Sequence, residues 1–335
     1  MVSGTLEVVS TCGKVVARAK VAPSTVQFCG PATPGPGGPS GLGAVTQPPV
    51  SATRDKVFFR DGDTRIRYLT VDGRTGDATT VPGGPNIISF FSVSPDDLRI
   101  AVVVVDLSNV NTADQRIAAG QISADSIKLR LYVEDLQGGG HHADIYSVTW
   151  TNKQGGINTL WPMGWHTGQL VLAVMSACNY ERVPPPLEWH VADAATANRL
   201  ATIPGANNNC VNSYWPSPAG VACVDFTKPE ARIYDWTGKV TATAPTENFG
   251  NQSALSPSGR LLSLSNGGGL GDPAPVTRIA SVAGGAAVTV TGHMACLWID
   301  DSTWMSIDAV VAFPSGVARL LPALGQCAGR YPGGL

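Results

Sequence analysis

Three short turns of one kind constrain this chain more than any other feature. Ser94-Pro95-Asp96-Asp97, Ser217-Pro218-Ala219-Gly220 and Ser256-Pro257-Ser258-Gly259 each lead at once into an apolar run: R-I-A-V-V-V-V, V-A-C-V and R-L-L-S-L. Trp165-His166-Thr167-Gly168 and Trp298-Ile299-Asp300-Asp301 are degenerate copies, leading into Q-L-V-L-A-V and T-W-M-S-I. Further strand-like segments follow most copies, among them L-R-L-Y-V-E-D-L, L-E-W-H-V-A-D, A-R-I-Y-D-W and T-R-I-A-S-V. Residues 51 to 84 read as one more such unit, K-V-F-F-R-D-G, T-R-I-R-Y-L-T-V-D-G and D-A-T-T-V-P-G.

Four-stranded units repeating every forty to sixty residues or so point to a β-propeller. Six units are predicted, starting near residues 51, 86, 156, 208, 249 and 292. One such unit cannot bury both of its faces, so neighbours around an axis must cover them, which explains why the second strands are apolar on both sides. A pair of β-sandwich domains would account for the strands but not for the recurring turn. The composition agrees with an all-β chain: 38 Gly and 25 Pro supply turns, and only 14% of residues are charged, against about a quarter in ordinary domains. The expected organisation is a short N-terminal β extension over residues 1–29, a Pro/Gly-rich linker over 30–50 and a six-bladed propeller over 51–335. The extension either adds a strand to the last blade or docks outside the ring.

The net charge of −2, without a Lys/Arg-rich run, argues against nucleic acid as a partner, because such binding needs a positive footprint. The longest apolar run, Ile100 to Val105, is too short to span a membrane. The start M-V-S-G-T-L-E-V-V-S has no signal-peptide pattern. Seven Cys and the low charge nevertheless suit a secreted, extracytoplasmic protein whose signal has been removed. The expected disulfides are Cys12–Cys29, Cys178–Cys210 and Cys296–Cys327, with Cys223 as a buried free thiol in mid-strand.

In a propeller the first strand of each blade lines the axis. Counting back from the turns, the rim where these strands begin, here the top, should carry Asn86, Asn158, Asn209, Asn212, Asn248, Asn251 and His293. Second strands tend to end near that rim in Asp: Asp61, Asp106, Asp225 and Asp308. Amide and carboxylate oxygens are hard ligands suited to calcium, with His293 as the candidate catalytic group. A structural reading stands beside this one, since Asn is common where loops enter strands. His141, His142, His166 and His190 fall elsewhere in the blade plan, so no transition-metal site is expected. Tyr180, Glu181, Arg182 and Trp161 are expected as exposed ligand-binding residues of top-face loops. The long insertion after Asp106, with a short helix over Thr112 to Ala119, is placed to act as a lid.

The pattern S-x-S-P-D-D-L-R-I-A, followed by a third strand ending Y-V-E-D-L, resembles the repeat of TolB-like six-bladed propellers, over residues 51 to about 325. The propeller domain of prolyl-oligopeptidase-type peptidases carries a similar repeat, but no G-x-S-x-G elbow is present here. The resemblance implies a fold and a habit of docking, gating or scaffolding, and no activity. The polar rim is also similar in plan to calcium-dependent lactonase and phosphotriesterase propellers, except that its only carboxylate is Glu247. Three functions follow as expectations. The first is a non-enzymatic propeller that binds a protein, glycan or small ligand on its top face. The second is a calcium-dependent hydrolase at the axial rim. The third is a structural module that assembles through its N-terminal strands.

Overall fold

A computed structural model describes residues 4–24, 50–106, 108, 127–138, 140–150, 158–176, 186–196, 198–212, 215–225, 227–247, 252–266, 274–322, 327–330, 333 and 335. These residues form an all-β six-bladed propeller and one separate hairpin, with a single 3-10 turn at Ala206–Asn208. The hairpin is β1 (Gly4–Val9) with β2 (Val15–Val21). Blade one is β3 (Val50–Ala52), β4 (Val57–Asp61), β5 (Arg65–Leu69) and β6 (Thr75–Thr80). Blade two is β7 (Ile87–Val93), β8 (Arg99–Asp106), β9 (Ile127–Asp135) and β10 (His141–Trp150). Blade three is β11 (Asn158–His166), β12 (Gln169–Ser176), β13 (Glu188–Asp193) and β14 (Arg199–Pro204). Blade four is β15 (Cys210–Asn212), β16 (Val221–Asp225), β17 (Glu230–Tyr234) and β18 (Val240–Pro245). Blade five is β19 (Gln252–Leu255), β20 (Leu261–Asn266), β21 (Val276–Ser281) and β22 (Val288–Thr291). Blade six is β23 (Leu297–Asp300), β24 (Thr303–Met305), β25 (Ala309–Ala312) and β26 (Ala318–Leu320). Every blade is an antiparallel meander in sequence order, and first strands touch between blades one and two, two and three, four and five, and five and six.

The repeated turn has a physical cause. Ser94 Oγ accepts the Arg99 N–H at 2.9 Å and Ser256 Oγ accepts the Leu261 N–H at 3.2 Å, so each hydroxyl ties the first strand to the second. Ser217 Oγ instead accepts the Ala219 N–H at 3.1 Å and donates to the Ser256 carbonyl of the next blade at 2.7 Å. In the two degenerate copies Trp takes the place of Ser, and its indole N–H reaches the neighbouring blade. Trp165 donates to the Ser92 carbonyl at 3.2 Å and Trp298 to the Ala254 carbonyl at 3.1 Å. These bonds satisfy buried carbonyls and fix the blades' mutual positions.

Apolar clusters fill the spaces between blades: one between blades one and two, one spanning two to four, one between four and five, and one between five and six. The seam between blades six and one is covered differently. The hairpin lays Ala17 and Ala19 on Phe59 and Leu69 of blade one. Its exit is tied by Ala22 N–H to Asp61 Oδ1 at 2.6 Å and by Gly62 N–H to the Ala22 carbonyl at 3.2 Å. Its turn meets blade six, where the Arg319 guanidinium donates to the Thr11 carbonyl at 3.0 Å. Among the described residues the extension is a separate two-stranded sheet docked outside the ring, and it adds no strand to the last blade.

Two disulfides lie among the described residues, Cys296–Cys327 and Cys210–Cys223. The second corrects the expectation that Cys210 would pair with Cys178 and that Cys223 would stay a free thiol. Cys210 and Cys223 sit diagonally on adjacent strands with Cα atoms 5.0 Å apart, inside the reach of a disulfide. Cys12 is free and exposed in the hairpin turn, which corrects its expected bond to Cys29. Cys29, Cys178 and the helix expected over Thr112 to Ala119 lie outside the described residues.

Candidate binding site at the top rim

Second strands end at the top in Asp because a carboxylate there caps the turn that follows. Asp106 Oδ1 accepts the Ser108 N–H at 2.9 Å and Asp225 Oδ1 accepts the Thr227 N–H at 2.8 Å. Such side-chain turns are a common use of Asp at strand ends. Asp61 is held by Ala22 N–H, Arg65 and Arg67. Three of the four acidic ends are thus spent on local structure.

The fourth is different. Asp308 sits in the loop between β24 and β25, and its Oδ1 meets His293 Nδ1 at 3.0 Å and the Ser306 hydroxyl. Burial pushes the Asp308 carboxyl up, but the Ser306 hydroxyl and His293 outweigh it and hold the group below the ordinary Asp range. His293 precedes β23 and is fixed through its backbone, whose carbonyl accepts Thr277 Oγ1 at 2.7 Å. Thr277 in turn contacts Ser265 Oγ at 2.7 Å, and both hydroxyls accept the Ala295 N–H. The His293 side chain is 14% exposed and that of Asp308 32%, so the pair is recessed but reachable. An imidazole oriented through Nδ1 presents Nε2 as its second polar atom. Arg278 and Glu247 lie on the blade-five side of the same rim, paired at 2.6 Å.

The other predicted residues that are described lie as follows. Asn86 is exposed in the turn before β7. Asn209 is exposed, in the left-handed region at φ 56°, where it ends the 3-10 turn. Asn212 is buried, and its Nδ2 donates to the Ala222 carbonyl at 3.4 Å, while its Oδ1 accepts no hydrogen bond. Asn158 opens β11, and Asn248, Asn251, Tyr180, Glu181 and Arg182 lie outside the described residues. Among the described residues no group of three or more His, Cys, Asp or Glu could hold a metal ion. Trp161 needs correction. It is no exposed loop residue but part of β11, 8% exposed, with its ring stacked on Phe90 of blade two at 4.1 Å between centroids. The reason is its place on an inner strand, where a large ring fills the gap between blades.

At the other end of the axis the described C-terminal residues contact several blades, which the sequence did not announce. From β26 the chain crosses the top of blade six, where Leu321 N–H donates to the Asp308 carbonyl at 2.7 Å. Cys327 is bonded to Cys296, beside the first strand of blade six. Arg330 then lines a cavity of about 340 Å³, open mouth included, with Trp215 and Pro218 of blade four, Leu255 of blade five and Trp298 of blade six. Gly333 N–H donates to the Thr53 carbonyl at 2.8 Å, and Leu335 N–H to the Trp165 carbonyl at 3.2 Å. A Cβ on Gly333 would lie 2.1 Å from the Ala52 carbonyl oxygen, so the tail touches blade one as closely as backbone can. The described residues of the tail therefore meet residues at the first strands of five blades.

No family model and no curated protein matches the chain. Solved structures match it as propellers. An oligogalacturonate lyase in complex with manganese is 11% identical with a TM-score of 0.46, and a lyase of the same name from Vibrio parahaemolyticus is 10% identical with a TM-score of 0.47. Each match covers 72% of this chain, which spans 63% of the length of either lyase. Virginiamycin B lyase from Staphylococcus aureus is 11% identical, with 84% of this chain and 87% of that chain covered and a TM-score of 0.44. Likeness at this level transfers no activity, substrate or partner to this chain.

Proposed function

We propose that this protein is a non-enzymatic binding propeller that takes a protein, glycan or small polar ligand on its top face, beside His293 and Asp308. One observation supports this above the others: the His293–Asp308 pair on the top rim is recessed but reachable, with side chains 14% and 32% exposed. The rim supplies hydrogen-bonding groups of both kinds, a carboxylate, hydroxyls and an imidazole, which suits a polar partner. Two disulfides fit an oxidising, extracytoplasmic setting, and no described helix is long and apolar enough to cross a membrane.

The test is a thermal-shift screen of oligosaccharides and peptides against the wild type, H293A and the bottom-turn variant L98A, whose side chain is 64% exposed. A stabilising ligand should lose at least tenfold in affinity against H293A and bind L98A normally. A ligand that binds H293A as tightly as the wild type places the site elsewhere. A ligand recovered with a changed mass overturns the non-enzymatic reading.

A further inference from the structure

The His293–Asp308 pair has two polar atoms to spare, and both are acceptors. Asp308 Oδ1 takes the His293 Nδ1 contact at 3.0 Å and the Ser306 hydroxyl, while Oδ2 receives no hydrogen bond from another described residue. A carboxylate oxygen beside Nδ1 requires a proton between them, so the neutral ring carries its hydrogen on Nδ1 and leaves Nε2 as a bare lone pair. Nε2 likewise meets no described partner, and neither atom is shut away from solvent. The charges at the surface here have one sign. Burial works against the Asp308 carboxylate, but the Ser306 hydroxyl and His293 hold it below the ordinary Asp range, so it stays ionised. On the blade-five side of the rim the Glu247 carboxylate side chain is 65% exposed, whereas that of its partner Arg278 is 13% exposed. The rim thus turns carboxylates outward and keeps their described counter-cation beneath.

We infer that the top rim takes the basic side chain, lysine or arginine, of a peptide or protein partner, with its N–H donors on His293 Nε2 and Asp308 Oδ2. The inference rests on the top-face reading and narrows it to one ligand chemistry. Two acceptors beside an outward-facing carboxylate call for a cationic donor, since charge-assisted hydrogen bonds are the stronger kind and opposite charge steers the encounter. The hydroxyls of a neutral sugar would satisfy the acceptors and leave the charge uncompensated. The recess decides where such a cation comes from. Side chains this far below the surface are reached by a slender stem sooner than by a sugar ring, and lysine and arginine carry their charge at the end of one. Both head groups offer several N–H donors, so either serves both acceptors.

Fluorescence anisotropy of labelled nonapeptides, with the full chain at pH 8 and low salt, tests this. The peptide flanks mix alanine, serine and glycine, and the central residue is fixed as lysine, acetyl-lysine, arginine, glutamine or glutamate. The lysine or the arginine set should bind at least tenfold more tightly than the glutamine set. That binding should weaken at least tenfold against H293A and against D308N, and stay unchanged against L98A. Should D308N fail to fold, acetyl-lysine decides the matter, because it keeps the stem and removes the charge. Equal binding of the lysine and acetyl-lysine sets overturns the proposal. So does binding of basic peptides that H293A and D308N leave unchanged, and so does the lack of any preference for the basic sets. A neutral oligosaccharide that needs His293, where no basic set binds, overturns this proposal and leaves the top-face reading standing. A ligand indifferent to H293A counts against that reading itself.

Discussion

Asp301 shows how single side chains join neighbouring blades. It lies in the bottom turn of blade six and reaches blade five, where its Oδ1 accepts the Ser258 N–H at 3.1 Å and its Oδ2 meets Arg260 at 2.9 Å. Burial alone would push this carboxyl up, but Ser258 and Arg260 outweigh it and bring it down to about 2. A depressed carboxylate stabilises the fold fully above the ordinary Asp range, near pH 4, and loses that effect as the pH falls through its folded value. The difference in unfolding free energy between the wild type and D301N should therefore be present at pH 6 and vanish towards pH 2. Its size should be about 1 kcal/mol, because water screens a pair whose Arg260 side chain is 78% exposed. A difference that stays constant from pH 6 to pH 2 in urea titrations would contradict this. The same scale explains two misreadings of the sequence. Trp161, in the run N-T-L-W-P-M-G-W, sits close to Pro and Gly and so looks like a loop residue, yet it packs on Phe90. Cys223, in V-A-C-V, has the apolar neighbours of an inert core thiol, and only the pairing of β15 with β16 brings Cys210 within bonding distance.

At the scale of the strand and its turn, the sequence was most legible. The six blades begin at residues 50, 87, 158, 210, 252 and 297, within about five residues of where turn chemistry puts them. The signal is local, a hydroxyl that closes a hairpin and a residue that tolerates positive φ, so neighbours in sequence carry it. Gly220 is the strictest case. Its φ is 127°, and a Cβ there would lie 1.9 Å from the Tyr234 carbonyl oxygen on the third strand of the same blade. Gly220→Ala should cost about 1–3 kcal/mol from backbone strain, with a further loss as β16 and β17 are forced apart. Gly62 has a positive φ but open space around the added atom, so Gly62→Ala should cost less. Equal losses for the two variants in denaturant melts would rule out steric closeness as the cause. The candidate site was half legible for the same reason. Counting from the turns reaches His293 and the second-strand ends reach Asp308, while the contact between them depends on how the connection from blade five to blade six meets a loop of blade six.

The whole molecule is a ring with one seam, and neither of its clasps could be read from periodicity. Hairpin and tail carry no repeat, and their partners are far away in sequence. The hairpin covers Phe59 and Leu69, which are 1% and 0% exposed beneath it. Removing residues 4–24 should cost about 1.5–3 kcal/mol for each of these side chains that becomes fully exposed. The urea midpoint should fall accordingly. An unchanged midpoint would mean that the ring closes without its hairpin.

The hydrogen bond from Arg319 to Thr11 joins residues 308 positions apart. That separation sets an order of events during synthesis. The hairpin leaves the ribosome first, but half of its seat is made only after blade six. The blades, built from contacts close in sequence, can form one after another as they emerge, whereas the hairpin must wait beside an incomplete ring. Throughout that wait the surface that ends up against Arg319 has nothing of its own chain to rest on, and Cys12, at the tip of the hairpin turn, is a bare thiol facing whatever oxidant or chaperone is near.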